Sequence, residues 1–106
     1  MSTKVITQTD NNQSFNVRVG DEIVIHLEES PTTGYRWALD NAVGDILVLQ
    51  NDGFSPAGSG VGGGGERTFT FAAQKAGSSL VGFKLWREWE GNNSITNRFQ
   101  IAINVN

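Results

Sequence analysis

Cysteine is absent from this chain of 106 residues, and proline occurs only twice. The lack of cysteine excludes disulfides, thiolate metal sites and a cysteine nucleophile. No apolar run approaches the roughly 20 residues of a membrane helix, and no window carries an apolar helical stripe over three turns. With 8 basic and 11 acidic residues, the formal net charge is −3. The chain therefore lacks the basic surface that nucleic acids and anionic membranes require.

Catalytic and metal-binding groups are equally scarce. His26 is the single histidine of the chain, which predicts a structural residue and no metal ligand. Glu28 and Glu29 are neighbours on a predicted strand, so they point to opposite faces and cannot form a two-carboxylate couple. We expect both to be solvated. The sequence thus predicts no enzymatic activity, no metal and no cofactor.

The length predicts one domain, residues 1–106, which should bury roughly 65% of its unfolded surface. The amino terminus reaches the polar residues 8–13 without the apolar core of a signal peptide. As given, the chain predicts a cytoplasmic protein, although removal of a signal peptide would leave the same kind of sequence. A monomer is the default expectation.

Period-two alternation of apolar residues predicts half-buried strands. The alternating sets are Phe15, Val17 and Val19; Ile23, Ile25 and Leu27; Phe69 and Phe71; and Phe99, Ile101, Ile103 and Val105. β-Branched and aromatic residues add candidates at residues 4–9, 35–39, 46–50 and 78–86. Turn residues separate them at 20–21, 51–53, 75–77 and 91–93. Seven or eight short strands in about 100 residues predict an all-β, immunoglobulin-like antiparallel β-sandwich with Trp37 in its core, and a small closed barrel is the alternative.

Three segments between these strands carry unusual chemistry. Residues 30–37 read Ser-Pro-Thr-Thr-Gly-Tyr-Arg-Trp, residues 58–65 Gly-Ser-Gly-Val-Gly-Gly-Gly-Gly, and residues 86–90 Trp-Arg-Glu-Trp-Glu. In an immunoglobulin-like sandwich, the connections at these places meet at one end. The sequence therefore predicts a composite binding edge.

Each segment has a plainer alternative. Pro31 fixes its own φ and Gly34 permits a positive φ, so the first segment predicts a rigid turn, with or without a partner. Glycine at six of eight positions in 58–65 lets another surface approach the backbone, or makes a simple connector. Arg87 and Trp89 are residue types enriched at binding hot spots. The alternative for the third segment is a cross-strand aromatic pair with Arg87 stacked over it.

In order and spacing, the three segments resemble the chagasin-like inhibitors of papain-type cysteine peptidases. The pattern of that family is Asn-Pro-Thr-Thr-Gly-aromatic, then Gly-x-Gly-Gly, then Arg-Pro-Trp. Ser30 stands in place of the asparagine, and Glu88 in place of the proline. The glycine motif fits residues 62–65 or 60–63. Glu88 predicts a less rigid third loop with an added negative charge.

The resemblance implies a reversible, competitive and non-covalent inhibitor of papain-family cysteine peptidases, cathepsin L-like or similar. Pro31, Thr32, Thr33 and Gly34 would form a central wedge against the catalytic Cys–His pair. Gly62, Gly64 and Gly65 would let the second loop lie in the substrate cleft, and Arg87 and Trp89 would grip its other side. The alternative function is an immunoglobulin-like carbohydrate-binding or adhesion module, in which Trp86 and Trp89 form a stacking platform for sugar rings.

Overall fold

The computed structural model describes residues 2–29, 33–40, 45–56 and 65–106. Eight strands form in these ranges. Their bounds are β1 Thr3–Thr7, β2 Ser14–Val17, β3 Glu22–Glu29, β4 Arg36–Leu39, β5 Leu47–Pro56, β6 Gly65–Ala73, β7 Gly77–Trp86 and β8 Asn97–Val105. Two 3-10 segments, Gln8–Asp10 and Glu88–Ser94, follow β1 and β7. Among the described residues, no helix is long and apolar enough to cross a membrane.

The strands form two four-stranded sheets. The first sheet has the order β1-β3-β6-β5, and the second has the order β2-β8-β7-β4. Alternation explains which faces meet: Ile23, Ile25 and Leu27 of β3 are fully buried, whereas their neighbours in the sequence are more exposed. The prediction of an all-β sandwich of seven or eight strands is therefore confirmed.

Aromatic residues fill the space between the sheets. The ring centroids of Phe69 in the first sheet and Phe83 in the second lie 4.4 Å apart, and Phe71 and Phe99 each lie 6.3 Å from Phe83. Trp37 is 4% exposed, as expected for a core residue. Its indole Nε1 donates a hydrogen bond of 2.7 Å to the carbonyl of Glu28. Trp37 thus joins β4 of one sheet to β3 of the other.

The sandwich is not entirely antiparallel. β1 pairs with β3 in parallel, and β2 pairs with β8 in parallel. The other pairs are antiparallel. The first parallel pair arises because β2, which lies between β1 and β3 in sequence, belongs to the opposite sheet, so no tight hairpin joins the paired strands.

Two local predictions were wrong. Val19 lies beyond the end of β2 and is 51% exposed, because the chain turns there at Gly20, whose φ is +96°. Residues 51–53 do not form a turn and belong to β5, whose pairing with β6 shifts register between Leu49 and Asn51. Such a bulge keeps a strand paired across residues that would otherwise favour a turn.

The expectation that Glu29 is solvated was also wrong. Glu29 is 3% exposed and follows Leu27 on the inward face of β3. Its carboxylate accepts a hydrogen bond of 2.8 Å from Nη2 of Arg67 and bonds of 3.2 Å from Nε. It also accepts a bond of 2.7 Å from the backbone N–H of Trp37. Nη1 of Arg67 pairs with Asp52 at 3.0 Å, so one ionic network joins β3, β4, β5 and β6.

The hydrogen bonds from Arg67 to Glu29 raise the pKa of the guanidinium above its ordinary value. The Arg67 guanidinium therefore stays protonated across the whole pH range in which the carboxylates and the histidine titrate. When one member of a buried ion pair is removed, the other charge stays buried without a partner. This lowers the free energy of unfolding more than the loss of an exposed pair does.

We expect Arg67→Met to lower the free energy of unfolding by about 3 kcal/mol, because it leaves the Glu29 carboxylate buried without its cation. Arg98→Met is the matched control. Arg98 pairs with Asp40 at 2.7 Å, but its side chain is 62% exposed. The control should change the unfolding free energy by less than about 1 kcal/mol. Urea unfolding of both variants checks this, and equal losses would contradict the structural role of the buried pair.

Candidate functional site

Strand ends from both sheets meet at one end of the sandwich, which we call the loop edge: residues 33–36, 65–67 and 86–97. In the first sheet, Glu29 of β3 lies opposite Gly65 of β6. In the second sheet, Arg36 of β4 lies opposite Trp86 of β7. The contacts of Trp37 with Glu28 and Glu29 bring the two sets of strand ends together. The predicted clustering therefore holds for the described part of each segment.

Four of the predicted site residues lie outside the described residues: Pro31, Thr32, Gly62 and Gly64. The other five are Thr33, Gly34, Gly65, Arg87 and Trp89. Of these, Gly65 is the first residue of β6 and pairs with both Glu29 and Pro56. A Cβ atom added to Gly65 would clash with the ring of Phe54. Glycine at 65 thus allows close packing inside the first sheet.

Trp89 lies across the backbone of Gly34. Its side chain is the most exposed of the large apolar ones in the described chain, at 72%. A Cβ atom added to Gly34 would lie 2.6 Å from Cη2 of Trp89, and Gly34 has a φ of +82°. Both the backbone conformation and the close approach therefore require glycine at position 34. The indole is exposed, yet its position is set by contact with the first loop.

Arg87 contacts the same loop. Its Nε donates a hydrogen bond of 3.1 Å to the carbonyl of Thr33. Its guanidinium carbon lies 4.5 Å from the ring centroid of Tyr35, which is a cation–π distance. Its Nη1 pairs with Oε1 of Glu90 at 3.1 Å. Two of these interactions, with Thr33 and Tyr35, dock the third loop on the first loop, and the pair with Glu90 holds the Arg87 side chain within the third loop.

The backbone of the third loop is closed by Ser94. The Ser94 hydroxyl accepts a hydrogen bond of 2.9 Å from the Arg87 N–H. The same oxygen lies 2.7 Å from the carbonyl of Gly91 and 2.9 Å from that of Arg87. Gly91, with a φ of +74°, makes the kink within the 3-10 segment. Residues 87–94 thus form a compact loop, and the predicted turn at 91–93 lies inside it.

Trp86 has different neighbours from Trp89. Leu85 packs against the core, so Trp86 lies on the opposite face of β7 together with Lys84. The Lys84 ammonium lies 3.5 Å from the Trp86 ring centroid. One face of this indole is therefore covered by a cation, whereas Trp89 rests on Gly34.

The remaining polar groups near the loop edge show no catalytic or metal arrangement. Nδ1 of His26 lies 2.8 Å from Oε1 of Glu66 and 3.1 Å from the Thr68 hydroxyl, which makes it a cross-strand residue as expected. In the described ranges, no three His, Cys, Asp or Glu side chains group as metal ligands. The arrangement can present a shaped surface to a partner.

The sequence indicated Thr33, Gly34, Arg87 and Trp89, but it did not single out Glu90, Ser94 or the contact of Arg87 with Tyr35. The Arg-x-x-Glu spacing of residues 87–90 was an available signal for the ion pair. The turn residues at 91–93 predicted a turn, but they gave no indication that the Ser94 hydroxyl closes it on the backbone of Arg87 and Gly91.

Known proteins resemble this chain in sequence and in structure. Chagasin of Trypanosoma cruzi is 29% identical over an alignment of 111 positions, which covers 100% of this chain and 100% of that protein. The cysteine protease inhibitor EhICP2 of Entamoeba histolytica superposes with a TM-score of 0.88 at 23% identity, over 100% of this chain and 97% of that one. PbICP-C, solved in complex with falcipain-2, gives a TM-score of 0.59 at 19% identity, over 98% and 89%.

A family model settles the relationship that the motifs suggested. The model of the chagasin family peptidase inhibitor I42 matches residues 16–103. The match includes all three loop segments and every strand from β3 to β7. The chain therefore belongs to the chagasin family of peptidase inhibitors, and it is an inhibitor rather than an enzyme.

Proposed function

We propose that the chain is a reversible, competitive and non-covalent inhibitor of papain-type cysteine peptidases. Family membership supports inhibition of a peptidase. The peptidase class is supported by EhICP2, which is a cysteine protease inhibitor, and by PbICP-C, which forms a complex with falcipain-2. Both are similar to this chain in fold.

The observation that carries the proposal is the placement of Trp89. A tryptophan that is 72% exposed offers a large apolar area to a partner, and tryptophan is among the residue types enriched at binding hot spots. Here the indole also lies closely against Gly34. A rigid aromatic side chain that is ordered before binding loses little conformational entropy on association, which is the property of a binding anchor.

Inhibition follows from how the three loop segments would fill a substrate cleft. Pro31, Thr32, Thr33 and Gly34 would lie at the catalytic Cys–His pair, with Gly62, Gly64 and Gly65 along the cleft and Arg87 and Trp89 at its other side. Occupancy of the cleft excludes substrate, so inhibition is competitive. The edge brings no group that forms a covalent bond, so inhibition is reversible. An interface of about 800 Å² on each partner suffices for nanomolar affinity.

A carbohydrate-binding or adhesion module is not favoured. That function required Trp86 and Trp89 to offer a joint stacking platform. The Lys84 ammonium lies over the ring of Trp86, and Trp89 rests on Gly34. The family match also gives no support to sugar binding.

The direct test is titration of papain and a cathepsin L-type enzyme with this protein on a fluorogenic peptide. We expect stoichiometric, reversible loss of cysteine peptidase activity, with a rise in apparent KM at unchanged kcat. Trypsin, a serine peptidase, is the control and should keep its activity. No inhibition of either cysteine peptidase at micromolar protein would refute the proposal.

We predict that Trp89→Ala raises the inhibition constant at least about tenfold, which corresponds to 1.4 kcal/mol. The reason is loss of the exposed anchor. Trp86→Ala is the matched control: it removes the same side chain from the face that carries Lys84, and it should change the constant less than about threefold. Similar effects of the two variants, with both proteins folded, would refute the role assigned to Trp89.

A second pair of variants tests the contact beneath Trp89. Gly34→Ala and Gly20→Ala both place a Cβ at a positive φ, +82° and +96°, so both carry a backbone cost of about 1 kcal/mol. Only at Gly34 would the new Cβ meet Trp89, because nothing lies within 4 Å at Gly20. We expect similar losses of thermal stability but a rise in the inhibition constant, about tenfold, for Gly34→Ala alone. Equal inhibition by both variants would show that the position of Trp89 is unimportant.

A further inference from the structure

Arg87 is largely engaged within the free protein. Its Nε–H donates a hydrogen bond of 3.1 Å to the Thr33 carbonyl. Its guanidinium carbon lies 4.5 Å from the centroid of the Tyr35 ring, and its Nη1 pairs with Glu90 at 3.1 Å. Its backbone is held by Ser94. A side chain committed in this way has few degrees of freedom left for a partner. Its contacts with Thr33 and Tyr35 reach the first loop, and those with Glu90 and Ser94 lie within the third loop.

We infer that Arg87 is a positioning residue, which supports binding by holding the first loop against the third, with Tyr35 and Glu90 as its partners in that role. The inference rests on the proposed function and adds to it. The family resemblance implied that Arg87 contacts the peptidase directly, whereas here its role is to position the first loop. The carbonyl of Thr33, one residue before Gly34, is the point at which Arg87 acts. Trp89, two residues after Arg87, is brought over Gly34 by the same docking.

The chemistry of this position requires arginine. The planar guanidinium stacks on Tyr35 through its face while its edge donates from Nε to Thr33 and from Nη1 to Glu90. Lysine carries the same charge but has no planar face and no Nε–H at that point along the side chain. Charge alone therefore cannot reproduce the docking. A direct ion pair with the peptidase, in contrast, would be largely preserved by lysine.

The sharpest test changes Glu90, because the two roles predict opposite signs. If Arg87 positions the first loop, Glu90→Gln weakens its anchoring, and the inhibition constant rises about threefold, as for loss of one partly exposed ion pair. If Arg87 grips an acidic group of the peptidase, Glu90→Gln frees the guanidinium, and the constant falls. Glu88→Gln is the matched control, since it removes the same charge from an exposed side chain two residues away. The ratio of the two effects isolates the contact with Arg87.

A double-mutant cycle gives an independent measure. We expect Arg87→Ala and Tyr35→Leu each to raise the inhibition constant of a cathepsin L-type enzyme about tenfold, and the double variant to raise it by little more than either alone. Arg87→Lys should inhibit no better than Arg87→Ala. A hundredfold rise in the double variant, or full rescue by lysine, would overturn the positioning role. Thermal unfolding of each variant shows that the loss does not come from a misfolded protein.

The last measurement needs no peptidase. The Nε–H of Arg87 is hydrogen-bonded to Thr33, so its exchange with solvent, followed by NMR in the free protein, should be slowed relative to that of Arg98, whose side chain is 62% exposed. Tyr35→Leu should restore fast exchange. Fast exchange at Arg87 in the unmodified protein would overturn the inference. Because this readout is independent of inhibition, failure of the chain to inhibit any cysteine peptidase would refute the proposed function and leave the docking of Arg87 separately tested.

Discussion

The loop edge depends on a carboxylate that has been taken out of water. Glu29 is the last residue of β3, and its buried oxygens accept hydrogen bonds from Arg67 of β6 and from the backbone of Trp37 in β4. Burial of an ion pair costs several kcal/mol per charge unless its hydrogen bonds are met. Here three donors of Arg67 are used by Glu29 and Asp52. The relative positions of four strands are therefore fixed close to where the three loop segments begin.

Much of this fold was predictable because half-buried strands repeat every two residues. β3, β6 and β8 were recognised from their buried aromatic and aliphatic residues. The same rule of alternation failed to predict the buried ion pair. Because a carboxylate is polar, Glu29 was expected to face the solvent. The missed signal was that Glu29 continues the inward-facing series of Ile23, Ile25 and Leu27. Arg67 likewise lies two residues before Phe69, on the same inward face of β6. β5 was cut short in the prediction because Asn51, Asp52 and Gly53 favour a turn; the pairing with the long β6 overrode that preference through a bulge.

The candidate site was predicted as a set of residues, and its internal contacts were not. Local motifs placed Thr33, Gly34, Arg87 and Trp89 on one edge, and the family match confirms the relationship behind those motifs. For the third loop, the sequence offered a binding hot spot and, as the alternative, a cross-strand aromatic pair with Arg87 stacked over it. The structure shows Arg87 stacked on the single ring of Tyr35, and Trp89 is still exposed. Stacking and exposure are compatible because they involve different residues of the same short loop.

Glu88 stands where the family pattern has proline, so the third loop must be ordered by other contacts. Proline would restrict φ at that position directly. In this chain, Glu88 is the first residue of the 3-10 segment, and its side chain is exposed. The residue before it is instead held from outside: Ser94 bonds the Arg87 backbone, while Glu90 and Tyr35 hold its side chain. These contacts are already made in the free protein, so side-chain interactions give the loop the order that proline would give it. The conformational entropy of the loop is therefore lost on folding and not on binding.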